Sequence, residues 1–303
     1  MGDSPAAVTV GIPVHNGERW LGEAIDSVLA QTYDDFILSI LDNASTDKTQ
    51  AICKHYAAQD QRVRYSRNDT NIGVFANYDR VFENSSTRYF KWASSNDVCG
   101  MRFLESCIDM LEANPDVVVA YPRTALFDQQ LEDAEPYEDG LCVNQDSPAE
   151  RIAALLANLK LNNLFNGVIR SDVLRKTRLN RAHTGSDIDL VAELSLYGKM
   201  IEVPDLQFFR RMNPSASSIL VPEEERSDYF SNESRDVLEF RQLRIESGLF
   251  AAVLRTSLPT SEKFKIARYL LRHVLQNRDK LLSESKSMIR DRLSRVNAIG
   301  RQQ

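Results

Sequence analysis

Nowhere in the 303 residues does an apolar run approach the roughly 18 positions needed to cross a bilayer, so no segment reads as a transmembrane helix. Only four cysteines occur, at 53, 99, 107 and 142, and no two stand in C-x-x-C spacing, which argues against a zinc ribbon and a disulfide framework. They read as reduced thiols, and a buried thiol behaves as a small hydrophobe. Glycine is missing where a dinucleotide enzyme needs it most. Gly11, Gly17 and Gly22 fit neither G-x-G-x-x-G nor a P-loop, which excludes a nicotinamide-dependent dehydrogenase of the usual kind. The first residues carry neither a basic region nor an apolar core, and Ala6 stands where a myristoylation motif wants Ser or Thr. A cytoplasmic location is therefore expected, with the sequon Asn84-Ser85-Ser86 idle. Repeats and low-complexity linkers are absent too.

What is present is regular alternation. Hydrophobic residues make up 43% of the chain and charged ones 26%, enough for one large core. Val8, Val10 and Ile12 form a short apolar strand that is expected to stop at Pro13, which has no N–H to give a central ladder. Trp20, Leu21, Ala24, Ile25, Val28 and Leu29 then recur at helical spacing, and Phe36 to Leu41 is nearly all apolar, as in a strand covered on both faces. Asp42 emerges at the carboxyl end of that strand, the edge where open α/β sheets hold their ligands. Asp47 and Gln50 have capping-box spacing for a helix from Thr49 to about Ala58. Strands at Val63–Tyr65 and Arg88–Ala93 flank a helix from Val74 to about Glu83. A helix from Arg102 to Ala113, a strand from Asp116 to Tyr121, an irregular acidic excursion over 122–147, a helix from Pro148 to Leu161, a strand over Leu164–Ile169 and a helix over Asp187–Leu196 follow. A boundary is expected at Ser215–Glu225.

The runs Pro13-Val14-His15-Asn16-Gly17-Glu18, Ser27-Val28-Leu29-Ala30-Gln31-Thr32 and Leu41-Asp42-Asn43-Ala44-Ser45-Thr46-Asp47 stand in order near the start. They continue through Arg67-Asn68, Asn71-Ile72-Gly73 and Tyr89-Phe90-Lys91-Trp92 to Ser95-Asn96-Asp97. Over roughly the first 120 residues this series resembles the family 2 glycosyltransferases. Weaker similarity continues through Gly185-Ser186-Asp187 and Phe209-Arg210-Arg211-Met212-Asn213-Pro214. The resemblance implies an α/β fold of the GT-A type, an open, mostly parallel sheet with helices on both faces and a C-terminal helical extension. It places the glycosyltransferase domain at about 5–215, with a nucleotide-binding half at about 5–121, an acceptor-side half at about 122–215, and C-terminal helices over 223–300.

Moving a sugar from a nucleoside diphosphate sets three tasks, each calling for its own residue type. Holding the base and ribose suits a carboxylate at a strand end. By resemblance this is Asp42, with Pro13, His15 and Glu18 on the facing loop and Asn43, Arg67 and Asn96 nearby; a turn-capping role for Asp42 is the plain alternative. Neutralising the departing diphosphate falls to Ser95-Asn96-Asp97, where the family presents Asp-x-Asp to a hard divalent cation, Mg²⁺ or Mn²⁺. Here Asp97 is the one charged metal ligand, and Asn213 replaces a His that relatives often carry. Arg210 and Arg211 are candidates for compensating charge, since a guanidinium matches phosphate oxygens. Deprotonating the acceptor falls by resemblance to Asp187, with Asp189 the neighbouring alternative; single-displacement inversion would follow. The competing reading is a nucleotide-sugar-binding protein of the same fold that has lost catalysis.

Charge is distributed unevenly. From Thr260 to Gln303 eleven Lys or Arg face four Asp or Glu, whereas the whole chain carries a net −6. Phe264, Ala267, Leu270, Leu271, Val274 and Leu275 recur at helical spacing there, so the tail reads as a basic amphipathic helix. It could close the domain, form a homodimer, or rest on an anionic membrane surface. The acidic remainder argues against nucleic acid. The expected partners are a nucleotide-sugar donor and a saccharide or lipid-linked acceptor.

Overall fold

The computed structural model describes residues 6–138, 140–181, 183, 185–213 and 241–279. The first half unfolds from the sequence as β1 (Val8–Val14), α1 (Leu21–Leu29), β2 (Phe36–Asp42), α2 (Thr49–Gln59), β3 (Val63–Arg67), α3 (Val74–Glu83) and β4 (Tyr89–Trp92). All four strands run parallel in the order β3-β2-β1-β4. Every residue of β1 is buried, as a strand covered on both faces requires. Strand β1 does not end at Pro13 but runs on to Val14, opposite Asp42. On the β4 side its pairing ends at Gly11, whose carbonyl accepts from the Ala93 N–H, so the N–H that Pro13 lacks falls where no neighbour remains to receive it.

The sheet then becomes mixed. β5 (Val98–Cys99), α4 (Phe103–Ala113), β6 (Val117–Phe127) and β7 (Glu135–Tyr137) precede α5 (Pro148–Asn158), β8 (Val168–Arg170), α6 (Ser171–Leu174), α7 (Ser186–Ser195) and β9 (Lys199–Arg211). The full order is β3-β2-β1-β4-β8-β6-β9-β5, with β8 antiparallel to both neighbours, β5 antiparallel to β9, and β7 antiparallel on β6. The expected excursion at 122–147 is thus partly strand. β6 continues to Phe127, through the division expected at 121/122, because β9 gives it a parallel partner. Prolines survive there at an irregularity: the register passes from Pro122↔Val203 to Arg123↔Leu206, looping out Pro204 and Asp205. The strand expected at Leu164–Ile169 is a 3-10 turn, Asn163–Asn166, followed by β8. Gly167 separates them because a Cβ there would lie 2.7 Å from the Ala120 carbonyl oxygen. Helix α2 has no capping box; Asp47 accepts from the Thr49 N–H at 3.0 Å, and it also accepts from the Glu18 N–H across the loop.

Two apolar cores form. One lies under α1 and α4, with Val10, Ile25, Leu38, Phe103 and Leu104 at its centre. The other joins Phe90, Trp92, Ile152, Leu190 and Leu194 to two C-terminal helices, α8 (Arg241–Arg255) and α9 (Thr260–Gln276), through Leu249, Ile266 and Leu270. The boundary expected at 215–225 lies outside the described residues. Cys53, Cys99 and Cys107 are buried and free, and burial pushes the Cys53 thiol up to about 12, so it is unreactive near neutrality.

Asp79 on α3 accepts hydrogen bonds from the backbone N–H and side-chain amide of Asn180, 2.9 and 2.8 Å away, both on the same carboxylate oxygen. Burial is the largest influence and raises its pKa from 3.8 to about 6. Folding therefore tightens proton binding, and this contribution is greatest below 3.8 and is lost as the pH rises through about 6. Asp79→Asn keeps the acceptor oxygen and removes the charge. It is expected to stabilise the fold by about 1–2 kcal/mol at pH 7.5 and by nothing near pH 4. Thermal unfolding at the two pH values measures this; an equal effect at both would mean that Asp79 is ionised without strain.

Candidate active site

The order β3-β2-β1-β4 reverses between β1 and β4, whose onward connections leave in opposite directions. The loops after β1 and β2 are laced to each other beside the resulting crevice. The Asn16 N–H donates to Ser45 Oγ (2.9 Å), the Thr46 N–H to Asn16 Oδ1 (2.8 Å), and the Gly17 N–H to Thr49 Oγ1 (2.8 Å). Glu18 accepts from the Lys48 N–H at 3.0 Å while its own N–H donates to Asp47. Each loop holds a non-glycine residue in the left-handed region, Asn16 at φ 52° and Ala44 at φ 60°. Such conformations persist where surrounding bonds over-determine them and gather at binding sites. No sequence signal marked Ala44.

Asp42 is fully buried at the end of β2. Its carboxylate accepts from the Arg67 guanidinium, from the Tyr65 hydroxyl at 3.1 Å and from the Ser45 N–H at 2.8 Å. The bond from the Ser45 N–H is a turn-capping contact, and Arg67, which also donates to the Ser45 carbonyl, carries the exposed edge of the Asp42–Arg67 pair. His15 is exposed on the facing loop. Its Nδ1 lies 2.9 Å from the Asn43 carbonyl oxygen, and Nε2 lies 3.3 Å from the side-chain nitrogens of Asn16 and Asn71. That pattern assigns the proton to Nδ1 and leaves Nε2 as an acceptor. Asn43 itself is buried and saturated. Its amide donates to Asn71 Oδ1 and the Gly73 carbonyl, and its oxygen accepts from Asn68 Nδ2 and the Ile72 N–H. Asn43 therefore shapes the crevice and has no side-chain bond left for a ligand. The ladder continues from Asn68 to Asn77, whose amide donates to the Leu41 carbonyl.

Past β4 the rim turns acidic. Asp97 is buried, with Oδ1 accepting the Arg211 N–H at 2.9 Å. Burial pushes its carboxyl above the usual range, and Arg210, the Arg211 N–H, the Ser94 hydroxyl and Lys91 pull it back. Arg210 reaches the same region and donates to Asn163 Oδ1 at 2.8 Å, while the adjacent Asn162 donates to Asp187 Oδ2 at 2.9 Å. One 3-10 turn and the residue before it thus link the arginine beside Asp97 to the carboxylate expected to act as base. The ring of Phe165 in that turn stacks on Trp92 with centroids 4.8 Å apart, and the Trp92 Nε1 donates to the Tyr78 carbonyl. Asp187 sits in the first turn of α7, directly after Gly185, whose φ of 89° glycine adopts without strain. Asn162 and Asn163 were not anticipated, because an Asn-Asn pair without a motif carries no signal. Asp189, the neighbouring alternative, faces away into a buried contact with His183 at 3.1 Å.

Arg211 corrects the expectation of two diphosphate-facing arginines. Its side chain is fully buried between the Trp20 and Phe127 rings, 3.8 and 4.3 Å from their centroids. The guanidinium donates to the Asn96, Asp128 and Gln129 carbonyls and pairs with Glu23. Neighbouring strand residues point to opposite faces, so Arg210 alone of the two turns toward Asn163. Asn96 meets Arg211 through its backbone oxygen, and Asn213 donates to Asp128. Among the described residues no three His, Cys, Asp or Glu side chains converge on a metal position. A single carboxylate already touched by an N–H and faced by Arg210 does not fit a cation held by protein alone. It fits one that arrives with diphosphate and water as most of its ligands.

The model of glycosyl transferase family 2 matches residues 9–177. A glycosyltransferase of Rickettsia typhi is 34% identical over 125 residues, 41% of this chain and 38% of that protein. The putative glycosyltransferase EpsE of Bacillus subtilis is 31% identical over 128 residues, 42% and 46% of the two chains. The match thus spans less than half the length of these relatives. Among solved structures, S. aureus TarS 1–349 in complex with UDP superposes with a TM-score of 0.63 at 14% identity, covering 88% of this chain and 71% of that one. The mannosyltransferase PcManGT of Pyrobaculum calidifontis, in complex with GDP-Man and Mn²⁺, gives 0.55 at 15% identity over 97% and 79%. At such identities the likeness is one of fold, and the fold is GT-A-like. With more than half of its residues matched by the family model, the chain belongs to glycosyl transferase family 2.

Proposed function

We propose that this chain is an inverting glycosyltransferase that moves a sugar from a UDP- or dTDP-activated donor to a hydroxyl group of a glycan, lipid-linked saccharide or small-molecule acceptor. The observation that carries the reading is that two polar groups stand at the carboxyl-end edge of the sheet, the Asp42–Arg67 pair in one and Asp97, Arg210, Asn163, Asn162 and Asp187 in the other. The His15 loop and the Arg67 edge would hold the nucleoside half. Arg210 would face the charge growing on the departing diphosphate. Asp187, oriented by Asn162, would take the acceptor proton as the acceptor oxygen bonds to the anomeric carbon and the bond to the diphosphate breaks with its electron pair. A divalent cation bound through Asp97 and the diphosphate would add Lewis-acid stabilisation of the leaving group. A uracil or thymine base is favoured over guanine by UDP and UDP-GlcNAc in the TarS complexes, although PcManGT carries GDP-Man.

Three measurements test this. Asp187→Asn is expected to keep donor affinity in calorimetry and to slow nucleoside diphosphate release by a factor on the order of 100 or more; an active variant would move the base elsewhere. Asn162→Ala is expected to lower kcat about tenfold with donor affinity unchanged, the loss of one hydrogen bond to a charged group. Mn²⁺ alone is expected to give no binding heat, while UDP binds more tightly when Mn²⁺ is added. Wild-type protein that binds UDP-sugars yet releases no UDP with any acceptor would establish the competing reading, a binding protein without catalysis.

A further inference from the structure

Helix α9 has two apolar faces, and the fold uses one. Ile266 and Leu270 are fully buried against the core shared with α5 and α7, and the Tyr269 hydroxyl donates to the Ala153 carbonyl. Phe264, Leu271 and Leu275, at i, i+7 and i+11, lie on the opposite side within a roughly 40° arc. They are 70%, 57% and 65% exposed. Leu254, tied to the start of α9 by the Lys263 Nζ bond to its carbonyl, is 76% exposed as well. Aligned large side chains left in water on a helix otherwise docked by its other face mark an interaction surface.

Charge selects the occupant. Arg268 borders the apolar arc, Arg272 and Lys265 continue the same flank, and Arg278 follows just past the helix end, all four exposed. Lys265 is paired with Glu262 and Arg278 lies 3.9 Å from Asp279, but Arg268 and Arg272 have no acidic partner among the described residues. A second copy packed stripe on stripe would oppose these arginines with their own kind. A lipid interface accepts both features: apolar side chains enter the acyl boundary while Lys and Arg extend along the surface to anionic headgroups. No helix among the described residues is long and apolar enough to span the bilayer, so the contact lies in the plane of the surface. We propose that the outer face of α9 docks the protein on an anionic phospholipid membrane. This contact is independent of the transfer reaction and goes beyond it.

Sedimentation of the full chain with vesicles of phosphatidylcholine, with and without phosphatidylglycerol, tests the proposal. Binding is expected with the anionic vesicles, to weaken as salt is raised, and to fall at least tenfold in Phe264→Ser/Leu271→Ser/Leu275→Ser. Arg268→Gln/Arg272→Gln is expected to lose roughly fivefold per arginine, as about 1 kcal/mol per basic residue near such a surface implies. UDP affinity and thermal midpoint, unchanged in both variants, certify that they fold. Absence of vesicle binding by the wild type, or equal binding by the triple Ser variant, overturns the proposal. So does a wild-type dimer that the triple Ser variant dissolves, which would make the stripe a subunit interface.

Discussion

The arrangement of this molecule rests on one constraint: β1 has β2 on one side and β4 on the other, and the chain leaves their carboxyl ends in opposite directions. Beside that divergence the loops after β1, β2 and β3 are tied to one another by side-chain bonds. Pro13 sits at that edge and sharpens it, because pairing with β4 has already ended and β1 is held beyond that point by β2 alone.

Tying loops together with buried polar groups is costly unless each is satisfied, since an unmet buried donor or acceptor costs about 1–3 kcal/mol. The chain meets this with asparagine. Asn71, Asn43, Asn68 and Asn77 form a ladder in which amide donors and oxygens are matched in series, ending on the Leu41 carbonyl and the Arg80 guanidinium. The ladder leaves Asn43 as scaffold and ties Asn71 to His15. Arg211 plays a comparable part on the other side. Clamped between two aromatic rings with its charge met by Glu23 and three carbonyls, it fixes the loop that carries Asp97.

The acceptor side is built differently. Asp187 takes its direction from Asn162, and Asn162 takes its place from the turn that stacks Phe165 on Trp92. The residue proposed as base is therefore tied to the last residue of β4. The same turn holds Arg210 through Asn163, so the two groups proposed to face acceptor and diphosphate share one support. A shared rigid support is the physical basis for holding reacting groups in a fixed relation.

Much of the first half was legible in sequence: the β1 and β2 runs, the helical spacing of α1 and α3, and the position of Asp42 follow from local periodicity, which acts over a few residues. β9 left no such mark, because its burial alternates irregularly and its pairing depends on β6, more than seventy positions earlier. Arg210 and Arg211 looked equivalent in sequence, and the opposite sides of a strand separated them. Phe264, Leu271 and Leu275 belonged to one amphipathic pattern with Leu270 until packing divided the helix. Residue order by itself determined the alternating elements and the family to which they belong, since hydrophobic periodicity and motif spacing are local. Which side chains meet across the crevice, and which face of the last helix stays in water, only tertiary structure decided, because those contacts join residues that no local rule relates.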